Sequence, residues 1–299
     1  MSNVIVGMDV GGTNIRMGSV DSAVNLTEEK MFSSRTLQGS DAVDKLLGYT
    51  KNYISSLKKP VKALSIGFPS TINATRDTLI NTPNLEGFSN IKIKPLFEDA
   101  LGLPVFVNKD ATMLLHFDMY KLRIGYSGVV AAIYIGTGIG NSIIVNGNEF
   151  IGNDGVSCEL GHIPVPGRND PCSCGLKGCM EIYAGGKGLE KICREKLGNI
   201  PVSEAFTLHG GNRHIKDFVS EIACAVATEI NILNPGYVVL GGGVLQMEAF
   251  PADLLVKLIK EKTRKPIPGD SIKILFSENG NPFTGVIGAA LYAAKQLTA

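Results

Sequence analysis

Residues Cys172–Glu181 read CSCGLKGCME, which sets three thiols in C-x-C-x4-C spacing. Thiolates this closely spaced are what zinc favours, and a closed structural zinc site is tetrahedral, so three cysteines leave one position to fill. Spacing alone does not say which residue fills it. Cys193 and Cys224 fall on helical patterns and read as core thiols. The start MSNVIVGMDV has no basic segment ahead of a long apolar stretch, so no export is expected. In a reducing cytoplasm the six cysteines are better read as metal ligands and buried thiols than as a disulfide framework.

A second chemistry is suggested by two stretches of the same layout. IVGMDVGGTNIRMGSV (Ile5 to Val20) and VAAIYIGTGIGNSIIV (Val130 to Val145) each run from an apolar strand through a glycine-threonine turn into a second strand, offset by 125 residues (130 − 5). Without a side chain, glycine lets backbone N–H groups approach an anion closely, so paired phosphate-binding loops are one reading. Two glycine-turn hairpins without a ligand are the other. Other nucleotide motifs are absent: there is no G-x-x-x-x-G-K-[ST], and GTGIGNSIIV lacks the third glycine of the dinucleotide fingerprint and runs into β-branched residues.

The elements that must position these groups alternate strand and helix. Ser40 to Lys58 carries Val43, Leu46, Leu47, Tyr53, Ile54 and Leu57 at the spacing of one helical face, and Asp217 to Leu233 repeats the pattern before Asn234-Pro235. A strand-like YVVL then leads into Gly241-Gly242-Gly243. This is an α/β chain of 299 residues, 44% hydrophobic, long enough for two domains around a cleft. A net charge of +1 without basic runs gives no footprint for nucleic acid or an anionic membrane, and the apolar run Val129 to Ile135 is too short to span a bilayer. The expected partner is a small molecule.

DVGGTNIR (Asp9 to Arg16), GTGIG (Gly136 to Gly140), CELGH (Cys158 to His162), CSCGLKGCME and LGGG (Leu240 to Gly243) stand in the order found in the ROK family of bacterial sugar kinases and sugar-responsive repressors, which the chain resembles over nearly its whole length. The resemblance implies the actin-like ATPase (ribonuclease H-like) fold, with a small domain over 1–118, a large domain with the zinc site over 119–282, and a helix over 283–299 returning to the small domain. It names His162 as the fourth zinc ligand beside Cys172, Cys174 and Cys179. One imidazole nitrogen can then bind the metal while the other faces a sugar hydroxyl. Glu159 and Glu181 become sugar-binding carboxylates.

For phosphoryl transfer the resemblance implies Asp110 as general base, ATP and Mg²⁺ as cofactors with Zn²⁺ structural, and Asp9 positioning the magnesium directly or through water. Gly11, Gly12, Thr13, Asn14, Gly136, Thr137 and Gly138 would meet phosphate oxygens, Gly242 and Gly243 would border the adenosine, and Asn84 of the TPNL loop would contact a hydroxyl. Three positions depart from the family pattern: Lys109 and Thr112 replace asparagines flanking the base, with Asn108 a candidate substitute, and Asn141 narrows the second turn where glycine is usual. Within the family the order LGGGVLQMEAFP, the TPNL loop and the basic residue before Asp110 resemble D-allose kinases. Glucose, N-acetylmannosamine, fructose and β-glucoside kinases share the other motifs, and pairing into a homodimer stays open. A repressor would need a helix-turn-helix ahead of the first loop, and a non-catalytic sugar sensor would be expected to lose Asp110, Asp9 or a glycine turn.

Overall fold

Strand β1 (Val4–Val10) opens the chain and turns through the first glycine stretch into β2 (Asn14–Val20) and β3 (Leu26–Ser33). Helix α1 (Ala42–Ser56), strands β4 (Val61–Phe68), β5 (Thr71–Ile72) and β6 (Leu79–Asn81), helix α2 (Ile93–Leu101), strand β7 (Val105–Lys109) and helix α3 (Asp110–Lys121) follow. The second half continues with β8 (Val129–Ile135), β9 (Ile139–Val145) and β10 (Asn148–Glu149), then α4 (Glu181–Ala184), α5 (Gly186–Lys196), α6 (Ala205–His209) and α7 (Arg213–Leu233). Strand β11 (Tyr237–Gly241), α8 (Ala252–Lys262), β12 (Lys273–Phe276) and α9 (Thr284–Gln296) complete it. The structure is a computed structural model that describes residues 3–83, 85–278 and 280–298.

Two units divide the chain. The first comprises Met1–Gly125, Ile151–Ser157 and Gly280–Ala299, and the second Tyr126–Phe150 and Cys158–Asn279. Against the expected limits, the first boundary lies beyond residue 118 because α3 runs on to Lys121 and a helix is not divided mid-length. The short return of residues 151–157 to the first unit has no sequence signature.

In the first unit the sheet order is β3-β2-β1-β4-β7, with β1 to β3 antiparallel and β1, β4 and β7 parallel. The interior strand β4 is buried over its last six residues, as a strand covered on both faces must be. The edge strand β3 is instead largely exposed and carries Glu28, Glu29 and Lys30, charges that discourage pairing with another chain. Helix α9 packs on α3 and β1, where Met113, Ala289 and Tyr292 form a small buried cluster.

The second unit repeats the plan. Its order, β10-β9-β8-β11-β12, again joins an antiparallel hairpin to parallel strands, so β8 stands to β9 as β1 stands to β2. The matched sequence stretches are therefore the same supersecondary unit built twice. Helix α7 fills the core of this unit with Ile215, Phe218, Val219, Ile222, Val226 and Ile230. It begins at Arg213, four residues before the apolar period suggests, because the Asn212 side chain caps it by accepting from the His214 N–H at 2.9 Å. It ends at Asn234 in the left-handed region, with Pro235 barring another turn.

Asn141 is turned inward, not toward the turn it follows. Its amide donates to the Ala132 carbonyl at 2.9 Å and to Glu229 Oε1 at 3.0 Å, so it ties β9 to β8 and α7 instead of narrowing the glycine loop. Glu229 is only 5% exposed, and burial pushes its carboxyl up to about 7 against the opposing pull of the Asn141 amide. An acid that holds its proton more tightly when folded contributes stability that is full below its ordinary value of 4.5 and is lost as the pH rises through about 7. Glu229→Gln keeps an oxygen for Asn141 and cannot ionise. At pH 8 the variant is expected to be more stable than the parent by up to about 3 kcal/mol, the difference closing below pH ~4.5, as chemical denaturation across pH would read.

Candidate functional site

The ends of the parallel strands bring two carboxylates of the first unit together. Asp9 sits near the end of β1, opposite Arg16 on β2, whose Nη1 lies 3.3 Å from Asp9 Oδ2. Asp110 is the first residue of α3, directly after β7, and β4 lies between β1 and β7. Carboxyl ends of parallel strands are where α/β sheets place reactive groups. Asp110 keeps part of its surface open, yet its surroundings desolvate the carboxyl and push it up to about 6. The neighbouring charge of Asp9 adds to that rise, while the Ala111 N–H, donating to Oδ1 at 2.7 Å, and the Lys109 ammonium oppose it. Burial likewise raises Asp9, and Arg16 holds it back.

The positions around Asp110 differ from those expected for a sugar contact. Asn108 is fully buried on β7 and its Oδ1 accepts the Lys109 N–H at 2.8 Å, so its amide is built into the strand end. Thr112 is buried on α3. Lys109 Nζ donates to the Ser157 carbonyl at 3.0 Å. Asn84 lies outside the described residues.

Each glycine turn is held by a backbone bond of its own. In the first, the Gly11 N–H donates to the Asn14 carbonyl at 2.9 Å, leaving Gly12 and Thr13 exposed. In the second, the Gly136 N–H donates to the Gly138 carbonyl at 3.0 Å, and the carbonyls of Gly136 and Thr137 accept from Gly186 and Lys187 at the start of α5. A Cβ at Gly138 would meet the Glu181 carboxylate, which would have to move aside. Gly242 and Gly243 follow β11, and the Val244 N–H donates to the Ile135 carbonyl at 3.0 Å, so this turn adjoins the end of β8.

The three cysteines and His162 gather in the second unit, their ligand atoms all within 4.8 Å of one another. Cys174 and Cys179 have sulfurs 3.6 Å apart, and Cys172 Sγ is 3.7 Å from His162 Nδ1. Zinc–sulfur bonds of about 2.3 Å at tetrahedral angles put ligand atoms about 3.8 Å apart, so the set fits the ion. Burial, with the neighbouring thiols adding to it, pushes the Cys179 thiol up to about 12, and a divalent cation inverts that preference by binding the thiolate. Glu159 caps the short 3₁₀ turn Leu160–His162, its Oε2 3.8 Å from His162 Nε2, while Glu181 Oε1 lies 4.0 Å from Nδ1 and 3.3 Å from Cys172 Sγ. The cysteine-histidine cluster thus has both carboxylates around one imidazole.

Sequence reasoning missed the anchors of that loop. Asp170 accepts from the Tyr183 hydroxyl and from Lys191 Nζ, both at 2.8 Å, and Arg168 lies over the Tyr183 ring while reaching Glu221 on α7 at 3.3 Å. The partners stand 13 to 53 residues apart, so no local pattern announces them. Cys158, at φ 63° immediately before Glu159, is a non-glycine in left-handed backbone of the kind found where a structure constrains a functional segment.

Among the described residues no helix is long and apolar enough to cross a membrane. The model of the ROK family matches residues 5–296. A glucokinase from Halalkalibacterium halodurans is 29% identical across 97% of this chain and 95% of its own length. An N-acetyl-D-glucosamine kinase from Photobacterium profundum is 28% identical across 97% and 99%. A ROK family glucokinase from Streptomyces griseus, solved in complex with glucose and AMPPNP, superposes with a TM-score of 0.79 at 24% identity over 98% of this chain and 100% of that one. The fold is that of the actin-like ATPases, with two domains. Matched by the family model from the first strand to the last helix, the chain belongs to the ROK family.

Proposed function

We propose that the protein is an ATP-dependent hexose kinase that phosphorylates a sugar hydroxyl, the 6-hydroxyl in the first instance. The observation that carries this reading is Asp110: a carboxylate at the N-terminus of α3, partly open, and raised to about 6 by burial and by Asp9. A general base works best with a pKa near the operating pH, since it is then both ionised and basic enough to take a proton. Asp110 accepts the proton of the attacking hydroxyl as that oxygen bonds the γ-phosphorus of ATP, and the bond to the bridging oxygen breaks to release ADP. Positioning and charge neutralisation supply most of the rate in such transfers.

Two desolvated carboxylates, one of them raised further by the charge of the other, suit a divalent cation, and Asp9 would hold Mg²⁺ directly or through water. The cation supplies neutralisation of phosphate charge. Gly11, Gly12, Thr13, Asn14, Gly136, Thr137 and Gly138 offer the two turns to phosphate oxygens, and Gly242 and Gly243 border the base of the nucleotide. Glu159, His162 and Glu181 hold sugar hydroxyls. His162, Cys172, Cys174 and Cys179 would hold Zn²⁺, which would fix the imidazole tautomer and brace the segments that carry Glu159 and Glu181.

For the sugar, the motif order and the basic residue before Asp110 favour D-allose, whereas the names of the relatives favour glucose and N-acetylglucosamine. A coupled ADP-release assay over D-allose, D-glucose, D-fructose, N-acetylglucosamine and N-acetylmannosamine ranks them. No sugar-dependent ADP release from any hexose would overturn the kinase reading.

Asp110→Asn is expected to lower kcat by ~10²–10⁴-fold with only modest loss of sugar affinity, whereas Glu159→Gln mainly weakens sugar binding; steady-state kinetics with calorimetric titration separates the two. Because the base must be ionised to act, kcat/KM of the parent should fall as the pH drops through about 6, and a flat profile between pH 5 and 8 counts against the assignment. Elemental analysis should find about one zinc per chain. Cys174→Ser should lose the metal together with sugar affinity, and intact affinity in metal-free protein would separate zinc from the sugar site.

A further inference from the structure

Lys109 replaces an asparagine of the family pattern, and beyond its charge, which lowers the carboxyl of Asp110, the reaction described above gives it no task. Its side chain has a defined partner: Nζ donates to the Ser157 carbonyl at 3.0 Å. Ser157 ends the segment Ile151–Ser157, which belongs to the first unit although its sequence neighbours Phe150 and Cys158 belong to the second. A second cation holds the same segment. Arg76 Nη1 donates to the Gly155 carbonyl at 2.8 Å and also reaches the carbonyls of Ile72 at 3.2 Å and Asn73 at 3.4 Å.

Between these two bonds the strap is pinned by shape. Gly155 is buried at φ 85°, and a Cβ there would strike the backbone of Asn73 and Ala74, so only glycine allows this approach. The receiving surface is itself braced: Asn73 Oδ1 accepts the N–H groups of Asp77 and Thr78, and Asn73 Nδ2 donates to Asp77 Oδ1 at 2.8 Å. The Ser157 N–H returns to the Ile151 carbonyl at 3.2 Å and closes the strap as a loop.

Lys109 is also the N-cap residue of α3, and the next residue is Asp110. A side chain anchored at Nζ restrains the backbone that orients the first residue of the helix. We propose that Lys109 and Arg76 form a two-point clamp on residues 151–157, and that Lys109 acts through this clamp as a positioning residue for the carboxylate of Asp110. The proposal rests on the assignment of Asp110 as base. Catalysis is sensitive to such restraint, since a displacement of about 1 Å can cost on the order of 10²-fold in rate.

The test uses the full chain with Lys109→Met, Lys109→Arg and Arg76→Met. Hydrogen exchange of the ligand-free proteins, read by mass spectrometry, is expected to accelerate over residues 151–157 in Lys109→Met and in Arg76→Met. With ATP and the best hexose of the panel, Lys109→Met should lose about 10- to 100-fold in kcat with KM for the sugar changed less than about threefold. Lys109→Arg, which keeps a cation in reach of the carbonyl, should recover most of both losses. Unchanged exchange in Lys109→Met, or faster exchange with unchanged kcat, would overturn the proposal. Should Lys109→Met fail to fold, Arg76→Met carries the test, since it loosens the strap from the other end while leaving Lys109 in place. Exchange involves no chemistry, so it remains readable if Asp110→Asn retains activity; a dead Asp110→Asn beside a fully active, loosened Lys109→Met removes the clamp alone.

Discussion

Two like charges that share a desolvated place are the constraint around which the first unit is arranged. Water would keep Asp9 and Asp110 ionised and indifferent to one another, but in this setting burial raises both, and the charge of Asp9 raises Asp110 further. The sheet accepts that strain because the strands are already committed: β1 and β7 flank β4, buried over its last six residues, and their carboxyl ends cannot separate without breaking ladder bonds. Arg16, opposite Asp9 across the hairpin, limits the penalty on one side, and the Ala111 N–H and Lys109 limit it on the other. What remains is a carboxyl of intermediate basicity, a state that surface aspartates do not reach.

The second unit starts from the same strand plan and uses its hairpin differently. In place of a paired carboxylate, the turn between β8 and β9 is seated on the start of α5 through Gly186 and Lys187, with the Glu181 carboxylate filling the space beside Gly138. Glu181 also lies 3.3 Å from Cys172 Sγ, so the cysteine loop and the glycine turn share one side chain. Beneath them Asn141 and Glu229 lock the hairpin to α7 through a buried polar pair. Ordering of the loop, the turn and the hairpin is therefore contiguous within this unit.

Legibility in the sequence followed the locality of the interaction. The three cysteines, the two glycine turns and the periodic faces of α1 and α7 depend on spacing within one segment, and spacing is what a sequence displays. Topology was partly visible too, because duplicated stretches imply a duplicated strand plan. Directions of side chains were not: Asn141 turns into the core and Asn108 is consumed by its own strand end, although both types commonly face ligands. Nor were partners far apart in sequence, such as Arg76 with Gly155 or Arg168 with Glu221. These follow only once the backbone has been folded.

The first unit is assembled from three separated segments, and its last contribution, α9, comes from the end of the chain. During synthesis, then, residues 1–125 emerge early but lack the helix that covers Met113 and packs against β1 until the whole of the second unit has been made. The second unit, nearly continuous in sequence, has every strand of its sheet available before that helix leaves the ribosome. Order of appearance and order of completion are thereby reversed: the part that carries Asp110 begins first and closes last. Domains tend to fold as units while the chain is extended, so a nascent molecule would hold the surface around Asp110 unfinished until α9 has been made.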